Sequence, residues 1–249
     1  MSGGLDSAVA TAVLKLAGAR LTAVHITHDW TWFTPRWSAR RVARSLDVEL
    51  VEIDVTDELE RRLRGAKGRS VCKICKRIML EKALEVHPVI ATGDSGMDSV
   101  AGAALDVWRR EGTPPEFVQI PKKPVVERGG RVIRPLIRIH EDDVKRIAET
   151  LDLPVRRVGE LGDLRRGWRE GCPLQHLDPD VRVTREMMDR VWEVNVEALI
   201  RARELGVRVA VKWPSMRVFT SPESAAARRR ICETVLLRAL TEPRGGTTE

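Results

Sequence analysis

The first seven residues constrain this chain more than any other stretch. Ser2-Gly-Gly-Leu-Asp-Ser7 sets two glycines between hydroxyls, directly ahead of residues 8–16 (AVATAVLKL), whose composition predicts a helix. Glycine lets a backbone approach a ligand closely, and the first turn of a helix presents unpaired N–H groups and the positive end of its dipole. Together these make a cradle for a phosphate group. A capped turn before an ordinary helix is the plainer alternative, but the six-residue string favours nucleotide binding. Such a loop normally follows a buried parallel strand, and only Met1 precedes it in this sequence. The expectation is a true start upstream of Met1, because a fold without that central strand would leave two neighbouring edges open.

Beyond the loop, strand and helix patterns alternate. Residues 21–27, 48–55, 89–92 and 132–136 read as strands, and residues 34–46, 57–63, 77–86, 95–110 and 141–151 as helices. This βαβ rhythm predicts an α/β fold, a Rossmann-like parallel sheet with helices on both faces and a ligand crevice at the carboxyl ends of the strands. The rhythm changes near Pro154. Residues 158–177 read as loop, 184–205 as a long helix with a Thr184 start and a Gly206 stop, 207–211 as a strand and 222–240 as a last helix. The division expected is a nucleotide-binding domain over residues 1–155 and a smaller, mostly helical C-terminal region over 156–249.

The bulk composition sets outer bounds. At 249 residues and 43% hydrophobic, the chain can bury a core. No apolar run reaches the roughly 18 residues of a membrane span, and no signal peptide opens the sequence, so a soluble, cytoplasmic protein without a membrane partner is expected. The net charge of +7 favours anionic partners, a nucleotide first and RNA second. A solvated basic surface is the alternative to the RNA reading.

Three of the four cysteines stand in suggestive places. Cys72-Lys-Ile-Cys75 is a CxxC followed by Lys76-Arg77, and Cys172 lies far along the chain in Gly171-Cys-Pro-Leu174. The basic neighbours Lys73, Lys76 and Arg77 are expected to favour thiolates, the form that binds metal or attacks sulfur. Spacing leaves three readings open. Cys72, Cys75 and Cys172 could hold an iron–sulfur cluster, they could bind zinc together with His176, or Cys72 and Cys75 could form a redox pair. Cys232, on the last helix, has the spacing of a packing residue.

The string Ser2 to Ser7 closely resembles the SGGxDS loop of the PP-loop ATP pyrophosphatase superfamily. Two further segments extend the resemblance. Ala91-Thr-Gly-Asp-Ser-Gly-Met-Asp98 is similar to the ATG-x4-D segment that follows a central strand, and Arg134-Pro-Leu136 is similar to the RPL segment. A PP-loop combined with CxxC and one distant cysteine resembles the cluster-dependent sulfur transferases of that superfamily, the tRNA 2-thiolation enzymes and the sulfur transferases of nickel-pincer cofactor synthesis. Residues 184–206 are weakly similar to the C-terminal region of the latter. The sequence lacks the zinc-finger cysteine pairs of one tRNA-thiolating branch, and no THUMP-like segment precedes the loop.

The resemblance implies specific roles. Ser2, Gly3, Gly4, Leu5, Asp6 and Ser7, with His25 and Gly93, would bind ATP. Asp6 and Asp98 would hold Mg²⁺, and Cys72, Cys75 and Cys172 would ligate a 4Fe-4S cluster, with zinc as the alternative. An acceptor oxygen would attack the α-phosphorus, pyrophosphate would leave, and sulfur from a sulfide or persulfide donor would then displace AMP. The acceptor would be a tRNA uridine or a small cofactor precursor, and a homodimer is allowed. The rivals are an amide- or lysidine-forming ligase with structural zinc and a non-catalytic ATP-binding module. Around this set, His28, Asp29 and Trp30 could line the adenine pocket, although a strand-end histidine satisfied by its surroundings is the plainer reading. Asp94 reads as a helix cap, His140 as a cap before residues 141–143, and the arginines of 165–169 as a substrate gate or a solvated loop.

Overall fold

The computed structural model describes residues 1–95, 125–127, 130–137, 139–155 and 171–241. Helix α1 (Leu5–Leu16) runs straight out of the glycine loop and is followed by strand β1 (Thr22–Thr27), helix α2 (Phe33–Ser45), strand β2 (Glu49–Asp54) and helix α3 (Thr56–Leu63). Strands β1 and β2 pair in parallel from Thr22↔Glu49 to Thr27↔Asp54. Glu52 on β2 binds Arg36 and Arg40 of α2 at 2.7 Å each, which fixes α2 against the sheet. These two guanidiniums hold the Glu52 carboxyl down at about 2.

A 3-10 turn, Gly68–Ser70, leads into α4 (Val71–Val86). This helix begins six residues before the expected start at 77, so Cys72 and Cys75 lie on its first turns rather than in a loop. The reason is one apolar face: Val71 and Ile78 are both buried, and Ile74 packs between them on the same core. Strand β3 (Val89–Ala91) pairs in parallel with β5 (Gly130–Ile133), while β4 (Val125–Glu127) adds an antiparallel edge that the sequence pattern did not suggest. Strand β5 stops at Ile133 rather than Leu136, since Pro135 has no N–H for a ladder. Leu136 is instead fully buried between α1 and α5 (Glu141–Thr150) with Val9, Val144 and Ala148.

The architecture is the expected α/β one, with parallel pairing in both β1–β2 and β3–β5. The glycine loop lies between these two groups of strands. On one side the Met1 amino group donates to Val24 O of β1. On the other, Gly93 just past β3 packs on the backbone of Asp6 and Ser7.

In the C-terminal part, α6 (Arg185–Glu204) starts on Thr184, whose side chain accepts from Met187 N, and ends before Gly206 at φ +65°. A hairpin of β6 (Arg208–Val211) and β7 (Val218–Ser221) and helix α7 (Ala225–Thr241) complete it. Strand β7 was not anticipated. One core takes Trp30, Leu59, Leu63, Val71 and Ile78 from the first half and Leu174, Leu177, Val183, Met188 and Val191 from the second. A second core, with Ala198, Val211 and Ile231, lies wholly within the C-terminal part. No helix among the described residues is long and apolar enough to cross a membrane.

Candidate nucleotide and cysteine site

The loop is preformed. Ser2 Oγ and Ser7 Oγ lie 3.0 Å apart, Ser2 N donates to Ser7 Oγ at 3.2 Å, and Ser7 Oγ donates to Gly4 O at 3.0 Å. Gly3 has φ +73°, and a Cβ there would lie 2.6 Å from both Ala39 N and Pro35 O. The position therefore admits only glycine, on two independent grounds. Its carbonyl accepts from Ser38 Oγ at 2.6 Å, so α2 grips the loop from below. Gly4 is the N-cap of α1, and no side chain caps the helix from that position. Helix α1 begins at Leu5, earlier than the expected residue 8, and this brings Asp6 into its first turn.

His25 and Gly93 flank the loop. His25 is buried, and its Nδ1 meets Met1 O at 2.9 Å while Nε2 is buried without a partner. Burial is the main cause that lowers its pKa. At Gly93 a Cβ would lie 2.7 Å from Ser7 N. Asp98 and residues 165–169 lie outside the described residues, as does all but Ser95 of the helix expected over 95–110.

Asp94 is the centre of an ion-pair hub, and the helix it was expected to cap lies outside the described residues. Its Oδ1 accepts from Lys76 Nζ at 3.0 Å, and its Oδ2 accepts from Arg134 Nε and Thr92 Oγ1, each at 3.0 Å. Burial pushes its pKa up, but Lys76, Arg134 and Thr92 outweigh that and hold the carboxyl below its ordinary value. One carboxylate thus ties the CxxC helix to the end of β3 and to the RPL segment, next to Gly93.

Cys172 comes from a segment a hundred residues further on and stands against the same core as Cys75. Burial lifts the Cys172 thiol to about 12 and Cys75 to about 11; the charges of Cys75 and Cys72 add to the rise at Cys172, and that of Cys72 to the rise at Cys75. Burial also lifts Cys72, although it reaches solvent, and Lys212 opposes the rise. The expected thiolate-forming role of Lys73, Lys76 and Arg77 is not realised: desolvation dominates, and Lys76 is spent on Asp94. The histidine in contact with Cys172 is His28, with Nε2 4.0 Å from Sγ, whereas the zinc reading had drawn on His176. Burial pushes both histidines down to about 4. Trp32 Nε1 donates to Gly171 O at 2.7 Å and so anchors the Cys172 segment to the loop after β1. A cavity of about 280 Å³ opens beside it, walled by Trp32, Pro173, His176, Arg208, Phe219 and Ser221 among others.

Among the described residues, no three His, Cys, Asp or Glu side chains converge tightly enough to hold a single metal ion. The Cys72, Cys75 and Cys172 thiols are soft donors of the kind an iron–sulfur group takes, and metal coordination deprotonates a thiol however high its pKa.

No protein-family model matches the chain. An uncharacterized protein of Methanocaldococcus jannaschii (MJ1016) is 31% identical over 235 residues, which is 89% of this chain and 80% of the relative. The solved U34-tRNA thiolase NcsA from Methanococcus maripaludis, with its 4Fe-4S cluster, shares the fold at a TM-score of 0.50 and 16% identity, over 98% of this chain and 71% of that one. The chain is a relative of the M. jannaschii protein, and its fold is that of the thiolase. The glutamine-hydrolyzing GMP synthase of Pyrobaculum aerophilum is 28% identical over 171 residues, 62% of this chain but 31% of that protein.

The site expected from the sequence pattern included neither the contact of His28 with Cys172 nor the Lys76–Asp94–Arg134 hub. The pair His25-x-x-His28 at a strand end was a visible signal for the first. Nothing in the spacing pointed to the second.

Proposed function

We propose that the chain is an ATP-dependent sulfur transferase that adenylates an acceptor oxygen and then replaces it with sulfur. The reading rests above all on one observation: Cys172 and the CxxC helix share a core, and that helix is tied through Lys76 and Asp94 to the backbone beside the phosphate loop. The sulfur-bearing residues and the glycine loop are thereby neighbours in the fold. The thiolase relative in fold, with its 4Fe-4S cluster, supports the same reading.

In this scheme the N–H groups of the Ser2–Ser7 loop and the dipole of α1 hold the ATP phosphates, with Asp6 and Asp98 as Mg²⁺ ligands. His25 lies beneath the loop and braces it. The acceptor oxygen attacks the α-phosphorus, the bond to the bridging oxygen breaks, and pyrophosphate leaves. Sulfide then forms a bond to the acceptor carbon as the carbon–oxygen bond breaks and AMP leaves; a persulfide donor gives a mixed disulfide at that carbon instead, and a thiol reductant then cleaves its S–S bond and is itself oxidised to a disulfide. Cys72, Cys75 and Cys172 would hold a 4Fe-4S cluster, which when bound supplies sulfur binding. The chain's own part is positioning and electrostatics. The acceptor is a tRNA uridine or a small cofactor precursor, and the cavity beside Gly171 is its approach.

The GMP synthase relative favours a second reading, in which nitrogen attacks the adenylate and the cysteines are structural. Anaerobically purified protein separates the two: a brown protein that releases AMP and pyrophosphate and forms a thiolated product supports sulfur transfer, and a colourless one that forms an amide or amidine supports the ligase. Asp6→Ala should abolish pyrophosphate release without unfolding the chain. ADP and orthophosphate as primary products would refute both readings.

A further inference from the structure

His28 follows directly on β1 and is only 4% exposed. Its ring stands against Trp30 with centroids 5.9 Å apart. Trp30 is itself pinned by its Nε1 bond to Asp189 Oδ1 at 2.8 Å, so the imidazole has a fixed wall on that side. Nδ1 is buried with no partner, and Nε2 faces the Cys172 sulfur at 4.0 Å. An unpaired nitrogen in the interior weakens a fold, and an apolar ring at this position would avoid the loss. Packing alone therefore gives no reason for a histidine here. Among the described residues its side-chain polar contact is with Cys172 Sγ, a ligand in the iron–sulfur reading.

We propose that His28 is a positioning residue of the cysteine site, its Nε2–H directed at Cys172 Sγ. A free thiol can itself donate to the ring. A sulfur bound to metal has no proton, so the ring then has to donate, with Nδ1 as the bare nitrogen. A hydrogen bond to a ligating sulfur draws electron density from it and raises the reduction potential of the group it helps to hold. His28 also covers one flank of the Cys172 sulfur and so limits the side from which it can be approached. This inference rests on the iron–sulfur reading above.

The test compares anaerobically reconstituted wild type, His28→Gln and His28→Leu for iron content, melting temperature and midpoint potential. The expected result is iron bound in all three, a lower midpoint potential in His28→Leu, and a value near wild type in His28→Gln, which keeps an N–H donor. Equal potentials in wild type and His28→Leu overturn the proposal. A second measurement covers the case in which His28→Leu does not fold or no iron is taken up. In the metal-free chain, the side-chain ¹⁵N signals of His28 should move on Cys172→Ala and stay in place on Cys232→Ala. Unmoved His28 signals overturn the contact. Moved signals in a chain that takes up no iron support the contact and overturn the iron–sulfur reading.

Discussion

Gly93→Ala isolates the junction between β3 and the phosphate loop. Gly93 needs no positive φ, so a substitution there carries no backbone strain of its own. The added Cβ would lie 2.7 Å from Ser7 N, 2.8 Å from Asp6 C and 2.9 Å from Ser7 Cα. All three are backbone atoms, so no flexible side chain can yield, and either the first turn of α1 or the end of β3 has to shift. Overpacking of this kind costs about 1–3 kcal/mol, and each kcal/mol lowers the Tm of a chain this size by roughly 2–4 °C. The larger effect falls on the ligand. If the shift removes one charge-assisted N–H bond to a phosphate, about 1.5–3 kcal/mol is lost, which is roughly a 10- to 150-fold rise in Kd. Calorimetric titration with a non-hydrolysable ATP analogue reads the Kd, and thermal denaturation reads the Tm. Gly18→Ala is the control: at φ +81° with nothing within 4 Å of its Cβ, it should cost about 1 kcal/mol in strain and leave the Kd unchanged. A Gly93→Ala protein that binds the analogue as tightly as wild type would refute the packing of β3 on the loop.

Asp94→Asn should lower the Tm at neutral pH, by a loss of about 1–3 kcal/mol, as Lys76 and Arg134 lose their shared carboxylate. Because the folded pKa of Asp94 lies below the unfolded one, the gap between wild type and variant should be full above the ordinary carboxylate range and close as pH falls below about 4; a gap that widens in acid would contradict the hub. Alanine at Cys72, Cys75 or Cys172 should bleach absorption near about 400 nm, a band given by sulfur-to-iron charge transfer in a cluster of this type, and Cys232→Ala should not. Loss of colour with Cys232→Ala alone would reassign the ligands. If tRNA is the acceptor, its binding should weaken at least about tenfold between about 50 and 200 mM salt, with thionucleoside in digests of the treated tRNA. Salt-sensitive binding without thionucleoside would point to the small-molecule acceptor.

The glycine turn ahead of α1 was legible because it depends on local chemistry: two glycines, two hydroxyls and a helix start are contiguous. The helices with strong ends were legible for the same reason. Thr184 and Gly206 bound α6 as the sequence suggested, and His140 caps α5 through Asp142 N at 3.3 Å. The start of α4 was not, because Lys73, Lys76 and Arg77 hide an apolar face that is defined only once the core supplies its other side. Strands β4 and β7 were missed because each is a four-residue-or-shorter edge, too brief for alternation to register. At the site, the raised thiols run against the local charge pattern. Basic neighbours in sequence say nothing about desolvation, which depends on what packs from elsewhere, here Leu174 and Leu177.

That shared core also bears on how the chain can be divided. Trp30, Leu59, Leu63 and Ile78 are covered by residues 174–191, and the Trp32 indole holds Gly171. A fragment ending at residue 155 would be no compact nucleotide binder. It would present a sticky apolar flank, and expression of the first half alone should give aggregates unless the second half is supplied in trans.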